Sequence, residues 1–189
     1  MTIEPIRPVR GKVVPIGRRW IYELKLDGFR GMLSIEDGRG TFTSKTGRRM
    51  KRFDDLGLAV ARALDVKSAV LDGEIVVMRD SGPDFHALFF RRGTPGYAAF
   101  DLLWLNGRDL RAQPLWRRKR ALRKLVTGTP VAYVEHVDDP SLFTEAVVRD
   151  LEGVVAKRRN DPYAPETEWV KVKYRGYSQM QDRWTLFTS

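Results

Sequence analysis

The sequence contains no cysteine. That excludes a disulfide frame and any zinc site built on thiolates. No apolar run approaches the roughly 20 residues of a membrane span, so no membrane partner is expected. The opening "MTIEPIRPVRGK" lacks the apolar core of a secretory signal. A cytoplasmic protein is expected, although a lack of cysteine suits an exported one too. Acid is also in short supply, with 24 Asp and Glu against 34 Lys and Arg, for a formal net charge of +10. A surplus of that size favours a polyanionic partner, nucleic acid first. An arginine-rich solvated surface is the other reading. The 189 residues suffice for one large domain, or one medium domain with an extension. A monomer is expected.

Three prolines make residues 1–18 read as a basic, irregular lead-in. Two strands follow in "WIYELKLDG" and "GMLSIEDGRGTFTSKTG", the second broken by a hairpin turn at Asp37–Gly38. Apolar spacing over 53–64 predicts a helix, with Asp54 or Asp55 as its cap. "AVLDGEIVVM" and "YAAFDLLWL" read as strands, the latter closed by a turn at Asn106–Gly107. "DFHALFF" reads as a short helix. Residues 114–126 predict a helix with Pro114 at its first position. Its apolar face is Leu115, Leu122, Leu125 and Val126, and its other face is basic. Residues 139–151 predict a second capped helix, and "GVVAKRR" and "EWVKVKYR" two last strands. Strands and helices do not alternate strictly. The expected class is α+β, with two largely antiparallel sheets flanked by helices.

Five stretches carry candidate chemistry. In "IYELKLDGFRG", Glu23, Lys25 and Asp27 share one strand face, with Gly28 and Arg30 just beyond. A solvated salt-bridge ladder would look the same. A glycine also lets a ligand approach the backbone closely or permits an unusual turn, and Arg30 adds a bidentate oxyanion donor. In "LDGEIVV", Asp72 and Glu74 share a face and suit a divalent metal or a ribose hydroxyl, or simply a surface hairpin. In "AAFDLLWLNG", Phe100 is a core aromatic or a platform for a base. "LEGVVAKR" places Glu152 at the head of an apolar strand with a cationic end. In "WVKVKYR", Lys171, Lys173 and Arg175 share a face and repel one another unless water or an anion lies between them.

Taken in order, "KLDGFR", "LDGEIVV", "AAFDLLWLNG", "EGVVAKR" and "WVKVKYR" resemble the nucleotidyltransferase motifs of ATP-dependent DNA ligases. The similarity is closest to the bacterial ligases of end-joining repair, and it runs from about Trp20 to Arg175. The superfamily includes RNA ligases and messenger-RNA capping enzymes. The resemblance implies the ligase and capping-enzyme nucleotidyltransferase fold, related to ATP-grasp. It implies that Lys25 attacks the α-phosphate of ATP, releases pyrophosphate and holds AMP as a phosphoramidate. A lysine near the reference pKa of about 10.4 is almost wholly protonated at neutral pH. The site must therefore help to remove a proton, through nearby cations, desolvation or a metal.

The other roles are likewise implied by the resemblance. Glu23 reads the adenine amino group, and Arg30 contacts the ribose. Asp27 and Gly28 belong to the nucleotide site. Glu74 binds ribose or metal, Phe100 stacks on adenine, and Glu152 binds a metal, magnesium or manganese. Lys171 and Lys173 contact the α-phosphate and share in catalysis. Ser44, Lys45 and Arg48 of "TSKTGR" touch nucleic acid or nucleotide. Arg117, Arg118 and Arg120 of the basic helix, and the 48–52 stretch, are expected on the backbone of nicked double-stranded DNA.

Family ligases continue after the last lysine motif into an OB-fold domain. Here "GYSQMQDRWTLFTS" follows Arg175, so 19–176 read as a nucleotidyltransferase domain and 177–189 as a tail where that domain would begin. An OB-fold domain or a repair partner acting in trans is expected, in a bacterial, nucleoid-associated setting. Two alternatives change the class: a guanylyltransferase or RNA ligase, and a DNA-binding module without chemistry. The retained Lys25, Glu74, Glu152, Lys171 and Lys173 weigh against the last.

Overall fold

The computed structural model describes residues 3–180. In chain order the elements are β1 Val9–Arg10, β2 Trp20–Leu24, β3 Phe29–Glu36, β4 Arg39–Thr43, α1 Asp54–Leu64, β5 Ser68–Val76, β6 Met78–Arg79 and β7 Gly82–Pro83. There follow α2 Phe85–Phe89, β8 Gly96–Leu105, β9 Arg108–Asp109, α3 Leu115–Val126, β10 Ala132–Tyr133, β11 His136–Val137, α4 Leu142–Val148, β12 Gly153–Arg158 and β13 Val170–Lys173.

Two sheets carry the fold. The first has the order β1-β13-β12-β2-β11, the second β10-β8-β5-β3-β4 with β9 on β8. Pairing is antiparallel except for β1 on β13 and β10 on β8. This is the α+β architecture expected from the sequence. β6 and β7 form a separate small hairpin.

The hairpin turns are where "DG" and "NG" placed them. Asp37, Gly38, Asn106 and Gly107 all take positive φ, as type I′ turns require. Helices α1, α2 and α3 bury Val60, Leu64, Leu88, Leu122 and Val126 in one large core with Leu33, Leu71 and Leu102 of the second sheet. On the first sheet, α4 buries Ala146 against Val154 and Val172. The remaining faces of the two sheets oppose each other. Burial on both faces explains why Tyr22 and Glu23, neighbours on β2, are both buried.

Several local expectations are corrected. The N-cap of α1 is Phe53, and Asp54 and Asp55 lie in the first turn, where they complement the helix dipole. Pro114 is the N-cap of α3 rather than its first residue. Helix α4 has no side-chain cap and covers only part of 139–151.

The lead-in is not irregular throughout. The Val9 N–H donates to the Trp169 carbonyl at 2.8 Å, and that of Gly11 to the Lys171 carbonyl at 2.9 Å. Ile6 is buried, its N–H donating to the Tyr163 hydroxyl. Proline is tolerated there because an edge strand need not donate on both sides. Beyond residue 176, Tyr177 is buried, and Gln179 bonds the Pro83 carbonyl and the Phe85 N–H. The rest of the expected tail, 181–189, lies outside the described residues.

Candidate active site

Two adjoining cavities occupy the gap between the sheets. The first, about 190 Å³, is lined by Leu26, Phe100, Val134, Val155 and Trp169, with Glu23 and Lys157 among them. The second, about 410 Å³, is lined by Lys25, Lys45, Glu74, Glu152, Lys171 and Lys173. Lys25, Arg30, Lys45, Glu74 and Lys171 border both. An apolar, aromatic chamber thus opens into a cationic one, with Lys25 on the seam.

Lys25 follows the last residue of β2. Its N–H donates to the Gly153 carbonyl at 2.9 Å, which ties it to the head of β12. Gly153 has φ of +137°, and a Cβ there would lie 2.1 Å from the Val172 carbonyl oxygen. Only glycine lets the strand ends close at this point. Gly28 has a related constraint: a Cβ would lie 2.2 Å from the Ile75 carbonyl oxygen. The close approach at Gly28 is to β5, not only to a ligand as the sequence suggested.

Four ammonium groups, Lys25, Lys45, Lys171 and Lys173, meet two carboxylates, Glu74 and Glu152, around the second cavity. Lys25 Nζ lies 2.5 Å from Glu152 Oε2, and Lys173 Nζ 2.6 Å from Oε1. Burial pushes the Glu152 carboxyl up, but Lys25 and Lys173 outweigh it and hold it below its usual range. Desolvation, then Lys25, Lys173 and Lys45, push the Lys171 ammonium down. The excess of ammonium groups over carboxylates suits a polyphosphate.

Glu74 behaves oppositely. Burial drives its carboxyl up to about 7, opposed by Lys25 and Arg30 and helped by Glu152 and Asp72. A carboxyl raised in the folded state contributes stability below its unfolded pKa and loses it as pH rises through the folded value. Stability of the ligand-free protein should therefore fall between about pH 4.5 and 7 on this account. Glu74→Gln should raise the melting temperature at pH 8 relative to the wild type, and change it little at pH 5. An equal difference at both pH values would exclude this assignment.

Glu74 and Glu152 are the two carboxylates that could take a metal. Among the described residues no group of three His, Asp or Glu forms a ready cage. Two carboxylates fit magnesium, which keeps waters and substrate phosphates as its remaining ligands. Asp72 is not part of that pair. It is fully buried, grips Arg30 through two 2.5 Å contacts and accepts the Tyr163 hydroxyl at 2.7 Å.

A family model described as "ATP dependent DNA ligase domain" matches residues 5–173. The chain belongs to that family. The ligase domain is 37% identical over 168 residues to the multifunctional non-homologous end joining protein LigD of Pseudomonas aeruginosa. The match covers 82% of this chain and 20% of that protein. A prophage-derived DNA ligase-like protein, LigB of Bacillus subtilis, is 32% identical, with 85% and 63% covered. Among solved structures, a mycobacterial DNA ligase D complexed with ATP and MES superposes with a TM-score of 0.80 at 32% identity, over 90% of this chain and 60% of that one. The ligase domain thus spans about a fifth of the Pseudomonas protein. A Chlorella virus DNA ligase-adenylate, at 13% identity and a TM-score of 0.63, shares the fold.

Of the residues singled out from the sequence, Lys25, Arg30, Glu74, Phe100, Glu152, Lys171 and Lys173 converge on the two cavities, and so do Gly28, Ser44 and Lys45. Three others are placed differently. Arg118, expected on DNA, is fully buried and bound through two nitrogens to Asp101 at 2.8 and 2.9 Å. Asp27 lines neither of these two cavities but a third, which borders Lys25, Glu152 and the β6–β7 hairpin, and it accepts the Tyr177 hydroxyl at 3.2 Å. Glu23 lines the first cavity, but its oxygens are held by Lys119 at 2.5 Å and Lys157 at 2.6 Å.

Lys119, expected on DNA with the rest of the basic helix, is instead buried against Glu23, and Lys157 and Trp169 are site residues that the sequence does not single out. Lys157 is buried, with Nζ 4.3 Å from the Phe100 ring centroid and 4.0 Å from that of Trp169. Its signal was phase: it shares a β12 face with Val155.

Phe100 is half-buried, edge-on to Trp169 at 5.9 Å, with Arg30 over its ring at 4.7 Å. If Phe100 stacks on the base, as the sequence resemblance implies, Phe100→Ala should weaken AMP binding by about 1–3 kcal/mol. Its stability cost should fall short of the roughly 3–5 kcal/mol of a fully buried phenylalanine. Calorimetric binding and urea unfolding test this. Normal AMP binding with a full core penalty would make Phe100 a packing residue.

Proposed function

We propose that this domain is the adenylation module of an ATP-dependent DNA ligase that acts in strand-break repair. The observation that carries the reading is the placement of Lys25 Nζ where the aromatic cavity meets the cationic one, 2.5 Å from Glu152. Adenine fits the chamber of Phe100 and Val155, with its edge toward Glu23. The triphosphate fits the lysine cluster.

In the first step the Lys25 nitrogen attacks the α-phosphorus. The N–P bond forms as the P–O bond to pyrophosphate breaks, and the lysine proton leaves through Glu152 or solvent. Covalent catalysis of this kind divides one hard transfer into two easier ones. Lys171 and Lys173 face the same cavity and stabilise the charge that builds on the phosphoryl oxygens. A divalent ion bound at Glu74 and Glu152 would add Lewis-acid stabilisation of the phosphates. AMP then passes from Lys25 to the 5′-phosphate of a nick, and the 3′-hydroxyl displaces it to seal the strand.

The test is incubation with α-labelled ATP or GTP and magnesium, followed by denaturing electrophoresis and a chase with nicked duplex. Retained label from ATP that moves to DNA supports the proposal. Label from GTP points to a guanylyltransferase, and no label to a binding module.

Exposed Arg117 and Arg120 of α3 and Arg48 beyond β4 are proposed to meet the DNA backbone without reading sequence. Each phosphate neutralised releases counterions, so affinity for nicked duplex should fall steeply between 50 and 200 mM salt, by roughly tenfold per two contacts or more. A flat salt profile would remove these residues from the interface. One domain covers one face of a duplex. A partner of the OB-fold kind in trans should therefore raise sealing by these 189 residues, read on a labelled nicked duplex.

A further inference from the structure

The end of the base cavity is closed by a row of buried charges. Glu23 from β2 is 2% exposed, Lys119 from α3 1% and Lys157 from β12 1%. Lys119 Nζ donates to Glu23 Oε1 at 2.5 Å, to the Val134 carbonyl at 2.9 Å and to the Phe100 carbonyl at 3.4 Å. Its three protons thus have three fixed acceptors, and it stands behind the cavity wall. Lys157 is on the cavity side, 2.6 Å from Glu23 Oε2, with its ammonium against two aromatic rings. Behind them, the Asp101 carboxylate is matched by Arg118. A single carboxylate is thereby held between two ammonium groups.

A buried carboxyl left alone takes up a proton and becomes a hydrogen-bond donor. An ionised one only accepts. The difference decides which purine edge it can meet. A 6-amino purine offers N–H at that edge, and a 6-oxo purine offers a carbonyl oxygen. We propose that Lys119 and Lys157 are specificity-determining positioning residues, which keep Glu23 an obligate acceptor and so make the cavity select 6-amino over 6-oxo purine nucleotides. The two lysines more than offset the burial that would raise the Glu23 carboxyl, and hold it below its ordinary value. Lys119 donates its protons to Glu23 and to two carbonyls and so does not compete for the base, while Lys157 lies against Glu23 and two aromatic faces. The inference rests on the nucleotide reading above, and concerns the choice of base rather than transfer chemistry.

The experiment is equilibrium binding of AMP and IMP, which differ at this edge and cannot react with Lys25. The wild type should prefer AMP. Lys119→Met and Lys157→Met should each lower the AMP-to-IMP preference at least tenfold, by weakening AMP and strengthening IMP. Lys119→Arg should restore part of it. A merely structural loss would weaken both nucleotides alike and leave the ratio unchanged, and that result would overturn the proposal. If either methionine variant fails to fold, the double variant Glu23→Gln with Lys157→Met removes one charge of each sign. Its amide can donate or accept, so it should bind the two nucleotides within about threefold of each other. A retained AMP preference in the double variant would also overturn the proposal. Failure of lysine labelling with AMP selectivity intact would instead count against the proposed transfer activity.

Discussion

Lys25→Ala is expected to gain no AMP on incubation with ATP and magnesium, while the wild type gains the mass of one adenylyl group. The argument is chemical, because no neighbour is placed to replace Lys25 as the proposed nucleophile. Lys173 shares Glu152 with Lys25, but from the far oxygen. Lys171 lies on β13, which pairs with β12 and not with β2. Neither shares the link of Lys25 to the Gly153 carbonyl at the head of β12. Lys173→Ala should behave differently. On the proposed mechanism it removes a donor to the developing phosphoryl charge, so the adduct should still form, with a rate lower by about 10²–10³. Intact-mass spectra over a time course separate the two. An adduct of unchanged mass on Lys25→Ala would move the nucleophile elsewhere. An adduct that forms on Lys173→Ala at the wild-type rate would remove that lysine from the transition state.

The meeting of those two lysines at one cavity was legible in the sequence, because each lies in an ordered motif. "KLDGFR" and "WVKVKYR" each place a cation at a fixed phase on a strand, and strand phase survives folding. The paired sheets and both two-residue turns were legible for the same reason. Burial on both faces of a strand was not. On β2 the alternation of Tyr22, Glu23 and Leu24 reads as one wet face and one dry face. A second sheet opposite turns the wet face into the wall of a cavity, and nothing within β2 announces that sheet. The lead-in was misread because three prolines outweigh the apolar Ile6 and Val9 in any local reading. Their partners, Tyr163 and Trp169, lie more than 150 residues away in sequence. Charge in α3 misled in another way. The run Arg117 to Arg120 looks uniform, yet 118 and 119 lie three and four residues after Leu115, and four and three before Leu122. Helical spacing alone placed them on the buried stripe. The apparent contradiction between charge and burial was the mark of two internal ion pairs.

Arg118→Ala is accordingly expected to be a stability mutation and not a DNA-binding one. The guanidinium is wholly buried, meets both oxygens of Asp101, and donates to the Gln113 carbonyl at 2.5 Å and the Asp161 carbonyl at 3.0 Å. Its removal leaves Asp101 buried, with the Leu102 N–H at 2.9 Å as the donor that remains. Breaking a buried pair from one side costs about 3–5 kcal/mol, because the surviving charge loses its counter-ion without regaining water. Arg120→Ala, two residues on but exposed, should cost within about 0.5 kcal/mol. Urea unfolding at constant m-value measures both. The DNA affinities should rank the other way. Loss of Arg120 should flatten the salt dependence, and folded Arg118→Ala should retain it. Equal stabilities for the two variants would mean that the Arg118–Asp101 pair contributes nothing. The consequence would reach the base cavity, since Asp101 and Arg118 adjoin Phe100 and Lys119 in the chain. Loosening that pair should move Phe100, the proposed platform for the base, and the cation behind Glu23 together. Nucleotide binding by Arg118→Ala should therefore weaken even where the variant remains folded, and a normal AMP affinity would show that the cavity is held by its other walls.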